Sequence, residues 1–360
     1  QMQLIHNENS RALVLRDETS RQWFGVPLRN NELRQPAKTD DLAIVKAWRE
    51  TDAVTHHGDA ADDPAIWVNQ ANPEKSLILG TNKKAGLEVY NLNGKRLQNL
   101  AIGRLNNVDV RSHVTINGKP MSLAVASHRD TNSLSVFEID QASQKVTHIA
   151  DLPTQLKEIY GVCLYQPAND KLYAFANGKG GEFIQYQLNT TSKQLNAIEV
   201  RRFQLESQPE GCVADDKTHE LFVGEEDVGV WEIDAAPEQP VQPVSVIKAG
   251  GILQADVEGL ALYHAPEETL LVISSQGNDS YVIVSSSAPY KVKGAFRIGL
   301  NSDALIDGVS ETDGLAVTSV NLGGELSKGL LVVQDGRNRL PEEAQNFKLV
   351  PWAELPISTQ

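Results

Sequence analysis

The stretch DDPAIWVNQANPEKSLILGTNKKAGLEVYNL, residues 62–92, carries the pattern that decides the fold. Asp63 leads a short apolar strand. A second strand follows, then the polar turn TNKK (81–84), then a third strand, LEVYNL (87–92). Apolar and polar residues alternate within these strands, the period of a half-buried β-strand and not of a helix. The same order recurs along the chain. The leading acids are Asp63, Asp109 (NVDVR), Glu158 (EIYGV), Glu210 (PEGCV), Glu258 (VEGLA) and Asp313 (TDGLA), separated by 46, 49, 52, 48 and 55 residues. The turn recurs as SHRD (127–130), NGKG (177–180), GEED (224–227), SSQG (274–277) and VQDG (333–336). Third strands such as LSVFEI (134–139) and FIQYQL (183–188) follow, and most units leave room for a fourth.

Six such units of roughly 50 residues, each a four-stranded antiparallel meander, predict an all-β chain folded as a six-bladed β-propeller. An α/β fold would need helices of roughly 10–15 residues between the strands, and the sequence offers none. After QNFKLVPW (345–352) too few residues remain for a last outer strand. DLAIVKAW (41–48), upstream of the first unit, is predicted to supply it as an N-terminal strand in the last blade, closing the ring and removing exposed sheet edges. The domain reading is therefore a propeller over residues 39–360 and an extension over 1–38. In the extension, RALVL (11–15) and WFGVPL (23–28) suit a hairpin around DETSRQ or the remnant of an upstream domain.

Composition excludes several classes. With 41% hydrophobic and 22% charged residues the chain is not a disordered one. No apolar run reaches the ~20 residues of a membrane helix. The formal charge of −14 opposes non-specific nucleic-acid binding and suits cations. Cys163 and Cys212 are too few for a disulfide framework or a cysteine zinc site, and two buried free thiols are favoured over one disulfide. No leader pattern opens the chain, which leaves the compartment open.

In an antiparallel meander the loop before strand one and the loop after strand two share one end. Both recurring motifs therefore fall on one rim. The strand-two turns carry Lys83, Arg129 and Lys179 in the first three blades, and Glu226, Gln276 and Asp335 in the last three. The leading acids add Asp63, Glu210, Glu258 and Asp313, with Asp256 close by. One half-rim reads as cationic and the other as acidic. Converging carboxylates repel and their pKa values rise; a divalent ion removes that cost. Carboxylates and carbonyls without His or Cys suit Ca²⁺ or Mg²⁺, and the adjacent Lys and Arg suit a phosphate-rich ligand. That is the equipment of metal-assisted phosphoryl hydrolysis by a metal-activated water. Taken singly, an acid before a glycine is ordinary turn chemistry, Lys83 a surface lysine, Tyr160 a core aromatic, Asn106-Asn107 a turn, and His56-His57 loop residues. No P-loop, G-x-S-x-G elbow, cysteine-phosphatase loop, RHG or HExxH string offers another chemistry.

The strings DAADDPAIW (59–67), TNKKAGLEVYNLNGK (81–95), GRLNNVDVR (103–111), IYG (159–161), GKGGEFIQYQL (178–188), SQPEG (207–211), GEED (224–227), DVEGLALY (256–263), SSQGNDSY (274–281), TDG (312–314) and QNFKLVPW (345–352) resemble those of the β-propeller phytases, which are calcium-dependent alkaline enzymes. The resemblance runs in order over roughly 55–352. It implies a six-bladed propeller of 3-phytase type that hydrolyses phytate (myo-inositol hexakisphosphate), taken as its calcium complex, at a cleavage site and a neighbouring affinity site. Asp63, Glu210, Glu226, Asp256, Glu258 and Asp313 would hold the catalytic calcium ions, with Asp62 near the same loops. Lys83, Arg129, Tyr160 and Lys179 would contact phosphate. A calcium-bridging water would attack phosphorus in line, with no phospho-enzyme. Asp307 and Asp335 match positions near a structural calcium. A monomeric, secreted or periplasmic protein is implied, with no nucleic-acid or membrane partner. Three positions depart from the family pattern: Gly180 stands where relatives often carry an acid, Arg337 where they often carry Glu, and Lys157 where they often carry Asn.

Two other readings use the same residues. One is a non-catalytic propeller that binds a phosphorylated ligand or protein partner through calcium. The other is a single-calcium propeller hydrolase such as a lactonase, against which the cations Lys83, Arg129 and Lys179 count.

Overall fold

A computed structural model of the chain describes residues 42–189 and 195–358 in full, and the backbone of the strands Met2–Asn7, Ser10–Arg16 and Trp23–Leu28. It divides into two units, Gln1–Asp41 and Leu42–Gln360. In the first, Ser10–Arg16 pairs antiparallel with both Met2–Asn7 and Trp23–Leu28, so the expected hairpin carries a third strand. The domain boundary expected at 38–39 lies outside the described residues.

The second unit is a six-bladed β-propeller. Its innermost strands are Ala61–Trp67, Leu105–Ile116, Ile159–Ala168, Pro209–Asp215, Val257–His264 and Leu315–Thr318, and each leads an antiparallel meander that runs outward in chain order, with the outermost strands of the fifth and sixth sheets supplied by the N-terminal segment. Apolar clusters fill the spaces between adjacent blades. Trp67, Leu79, Val108 and Phe137 bridge the first and second. Ile78, Tyr90, Val332 and Phe347 bridge the sixth and first. Burying both faces of every sheet between neighbours is the main source of stability in such a ring. At the seam the contact is tight: a Cβ on Gly80 would lie 2.3 Å from the Phe347 ring.

The N-terminal segment is threaded differently from the expectation. DLAIVKAW does not supply the outer strand of the last blade. Its Ala43–Lys46 adds a fifth strand, parallel, to the fifth blade beside Val292–Gly299. The outer position of the sixth blade is taken by Arg49–Glu50, beside Asn346–Pro351. Buried Val45 and Ala47 belong to the core between the fifth and sixth blades. One segment thus serves two blades, with no turn residue in its sequence to divide it.

Cys163 and Cys212 form a disulfide, which corrects the expectation of free thiols. They sit on the inner strands of the third and fourth blades, with Cα atoms 5.7 Å apart. Those strands converge toward the axis, where Gly161 passes so near the next strand that a Cβ would lie 2.2 Å from the Glu210 carbonyl. That convergence brings the two thiols within bonding reach.

Candidate active site

The inner and second strands pair so that the start of one meets the end of the other: Ala61 with Asn82, Pro209 with Glu225, Val257 with Ser275. The leading acids and the strand-two turns therefore do share one rim. The glycines that follow Glu210, Glu258 and Asp313 have a packing role beyond turn chemistry. A Cβ on Gly211 would lie 2.1 Å from the Glu258 carbonyl, and one on Gly314 would lie 2.2 Å from Asp63 Oδ1. Only glycine lets neighbouring inner strands come this close, and this crowding makes their acids converge.

A cavity of about 720 Å³ opens on this rim. Lys83, Tyr160, Glu210, Glu226, Asp256, Glu258 and Asp313 all line it. At its centre Glu210, Glu226 and Glu258 bring carboxylate oxygens within 4.8 Å of one another. Glu210 and Glu258 are buried, and Glu226 is half-buried. Asn106 Nδ2 donates to Glu210 Oε1 at 2.9 Å. Gln208 Nε2 donates to Glu226 Oε1 at 2.5 Å, and Gln276 Nε2 to Asp313 Oδ1 at 2.5 Å.

The electrostatics are those of unneutralised crowding. Burial, reinforced by Glu210 and Asp256, pushes the Glu226 carboxyl up to about 7. Burial also raises Asp313 to about 6, against the pull of Lys83. Asp62, Asp63 and Glu258 are pushed well above the usual carboxylate range, by burial first and neighbouring acids second. Asp256 shifts upward for the same reasons. Asp62 Oδ1 and Glu258 Oε2 are buried and accept no hydrogen bond. Buried carboxylate oxygens without partners, in an all-oxygen donor set, fit a hard divalent cation of the calcium or magnesium kind.

The cations divide in a way the sequence does not reveal. Lys83 does not face outward as part of a cationic half-rim. Its Nζ lies 2.7 Å from Asp59, 3.0 Å from Asp313 and 3.4 Å from Asp62. Burial opposes its charge, but Asp62 and Asp313 hold it firmly protonated. Arg129 and Lys179 flank Tyr160, with Lys179 Nζ 4.4 Å and Arg129 Cζ 5.6 Å from the ring centroid. The Tyr160 hydroxyl is held protonated by burial and by Glu210. Arg129 also donates to Asn106 Oδ1 at 3.2 Å. This cluster is a cationic patch that reaches the cavity through Tyr160; Arg129 and Lys179 are not among its lining residues.

Other expected residues fall elsewhere. Asp63 Oδ2 accepts from the Val108 amide at 2.9 Å and faces a second cavity, along the channel. Asp109 is not at the rim: it pairs with Val125 partway down the second blade and forms an ion pair with Arg111 at 3.0 Å. The rim position of that blade belongs to Asn106, read from sequence as a turn. Asp307 and Asp335 stand apart from the acidic centre, around the buried ammonium of Lys348. Sequence reasoning assigned no role to Asp59, Asn106, Gln208 or Lys348. All four lie inside the quoted motifs. Lys348 interrupts the apolar strand QNFKLVPW, and that interruption was its signal.

Comparison with known proteins agrees with this geometry. The family model described as Phytase matches residues 27–358. The 3-phytase of Bacillus subtilis (strain 168) is 41% identical over 323 residues, covering 86% of this chain and 84% of that protein. A solved structure of a functionally unknown protein from Desulfotomaculum acetoxidans DSM 771 aligns with a TM-score of 0.45 and 13% identity over 79% of this chain and 78% of that one, too distant to bear on function. The chain belongs to the phytase family.

Proposed function

We propose that this protein hydrolyses the phosphomonoesters of phytate in a calcium-dependent reaction, taking the substrate as its calcium complex. One observation carries this reading: in a chain of the phytase family, a carboxylate triad with an unpartnered buried oxygen faces a cavity that the cationic patch of Lys179 and Arg129 reaches through Tyr160.

Glu210, Glu226 and Glu258, with Asp62, Asp63, Asp256 and Asp313 around them, would hold calcium. Bound there, calcium neutralises the acids, polarises phosphoryl oxygens and lowers the pKa of water. The chain's own residues do the rest. Lys179 and Arg129 receive phosphate oxygens, Arg129 through its fork of donors. Tyr160, protonated, donates to a neighbouring oxygen. Lys83 keeps Asp59, Asp62 and Asp313 in place as a fixed counter-charge. Glu226, oriented by Gln208, is placed to take a proton at its Oε2. The reaction is transfer of phosphoryl to water, with no covalent enzyme intermediate.

The disulfide supports an oxidising compartment, hence a secreted or periplasmic protein. No helix among the described residues is long and apolar enough to cross a membrane. One chain supplies the whole cavity, which supports a monomeric catalyst. The test is Glu226→Gln, which keeps the side-chain shape and removes the charge. Phosphate release from phytate should fall by at least about 100-fold with the circular dichroism unchanged. Undiminished release would remove Glu226 from the chemistry.

A further inference from the structure

Lys348 is wholly buried, at 0% exposure, on the third strand of the sixth blade. Three carboxylates from three separate segments surround its ammonium. Glu50 sits directly opposite on the neighbouring strand and accepts from Nζ. Asp307 Oδ1 accepts at 2.6 Å. Asp335 Oδ2 lies 3.2 Å away as an ion pair. The remaining oxygens are also engaged. Asp307 Oδ2 accepts the Arg339 amide, and Asp335 Oδ1 accepts the amides of Ser310 and Arg337.

An ammonium carries three N–H donors, and three carboxylates surround this one. A calcium ion needs six to eight oxygens, roughly one shell free of other cations. Neither oxygen of Asp307 or of Asp335 is left without a charged or hydrogen-bonding neighbour. Asp335 Oδ2, like Asp62 Oδ1 and Glu258 Oε2, accepts no hydrogen bond, but it lies 3.2 Å from the Lys348 ammonium, whereas among the described residues Glu258 forms no ion pair. A second protein cation adds to the difference: Arg337, on the turn after Asp335, pairs with Glu311 across the cavity edge.

We propose that the cation of the Asp307–Asp335 pocket is the Lys348 ammonium itself, that this chain binds no divalent ion there, and that its calcium is confined to the acidic centre of the cavity. The consequence is mechanical. Asp307 and Asp335 anchor the two loops that carry Glu311 and Arg337–Arg339 into the cavity wall, and Lys348 ties both loops to the ring seam through Glu50. That wall stands whether or not calcium is present. The inference does not depend on which reaction the cavity performs.

The test counts calcium bound per chain by equilibrium dialysis, with thermal unfolding followed in parallel. Asp307→Asn should bind as many calcium ions as the parent protein, with the same affinity. Glu258→Gln, as the contrasting variant, should lose calcium or bind it at least about tenfold more weakly. Lys348→Met leaves the three carboxylates without their cation and should take up an additional calcium. Loss of a calcium in folded Asp307→Asn would overturn the proposal and make Asn338 Oδ1, buried without a partner on the same turn, a ligand. A folded Lys348→Met that binds no more calcium than the parent and melts at the same temperature would overturn it too. Should Lys348→Met fail to fold, Asp307→Asn still decides.

Discussion

Replacing Glu258 by Gln should move the stability of the protein in opposite directions with and without calcium. The triad oxygens lie within 4.8 Å of one another. At an effective dielectric constant of about 20, each ionised pair at that distance costs about 3.5 kcal/mol. Glu258 takes part in two of the three pairs. Proton uptake relieves part of this repulsion in the calcium-free protein, so the expected net gain on removing the charge is about one pair, ~3 kcal/mol. For a propeller of this length that is a rise in Tm of about 4 °C. With calcium in excess the sign reverses. A lost ligand weakens binding at least about tenfold, which removes ~1.4 kcal/mol of ligand-linked stability and lowers Tm by about 2 °C.

The pH dependence follows from the direction of the shifts. Glu258 is raised well above its ordinary value in the folded protein, beside Glu226 at about 7 and Asp313 at about 6. A carboxyl with a raised folded-state pKa favours folding while protonated. Its contribution is whole below the unfolded value of about 4.3 and is lost as pH rises through the folded value. The calcium-free parent should therefore lose stability from about pH 4.3 up through neutrality. The gain from Glu258→Gln should be absent near pH 4 and grow as pH rises. Differential scanning calorimetry in chelator and in calcium, near pH 4 and at pH 8, measures all of this. A variant that melts lower in both chelator and calcium at pH 8 would refute the reasoning, because the triad would then be a neutral hydrogen-bonded network and not a crowded cation site.

Two further outcomes are expected. Lys179→Ala should weaken phytate binding, read as a raised KM or a smaller Tm rise with inositol hexasulfate; unchanged values would exclude the patch around Tyr160 as the phosphate contact. Replacing Cys163 and Cys212 by Ser opens a loop closed across 49 residues, worth about 4 kcal/mol by chain entropy. Denaturant unfolding of the double variant should show a loss of that order, and no loss would mean that blade packing alone fixes the third and fourth inner strands.

The ring was legible because its signal is repeated: an acid, a strand, a polar turn, six times at similar spacing. The site was legible at the level of the rim, since strand alternation places both motifs at one end. Contacts that depend on how blades lean on one another were not. Lys83 has the sequence context of an exposed lysine, yet three carboxylates from two loops enclose it. Asn106 and Asp109 are three residues apart, and the bulge between Leu105 and Val108 puts the asparagine at the rim and the acid down the channel. The disulfide joins residues whose proximity comes from the convergence of inner strands near Gly161, which local pattern does not encode. The segment 42–50 carries no turn residue between its two strands, so its division between two blades is set by the ring and not by its own residues.

The central claim is tested most directly by inorganic phosphate release from phytate near neutral pH, first with millimolar Ca²⁺ and then with excess chelator, on protein shown to be folded in both. Release in calcium that stops in chelator and returns when calcium is restored is the expected result. Equal release in chelator, or none in either condition from a protein folded with calcium, would contradict it.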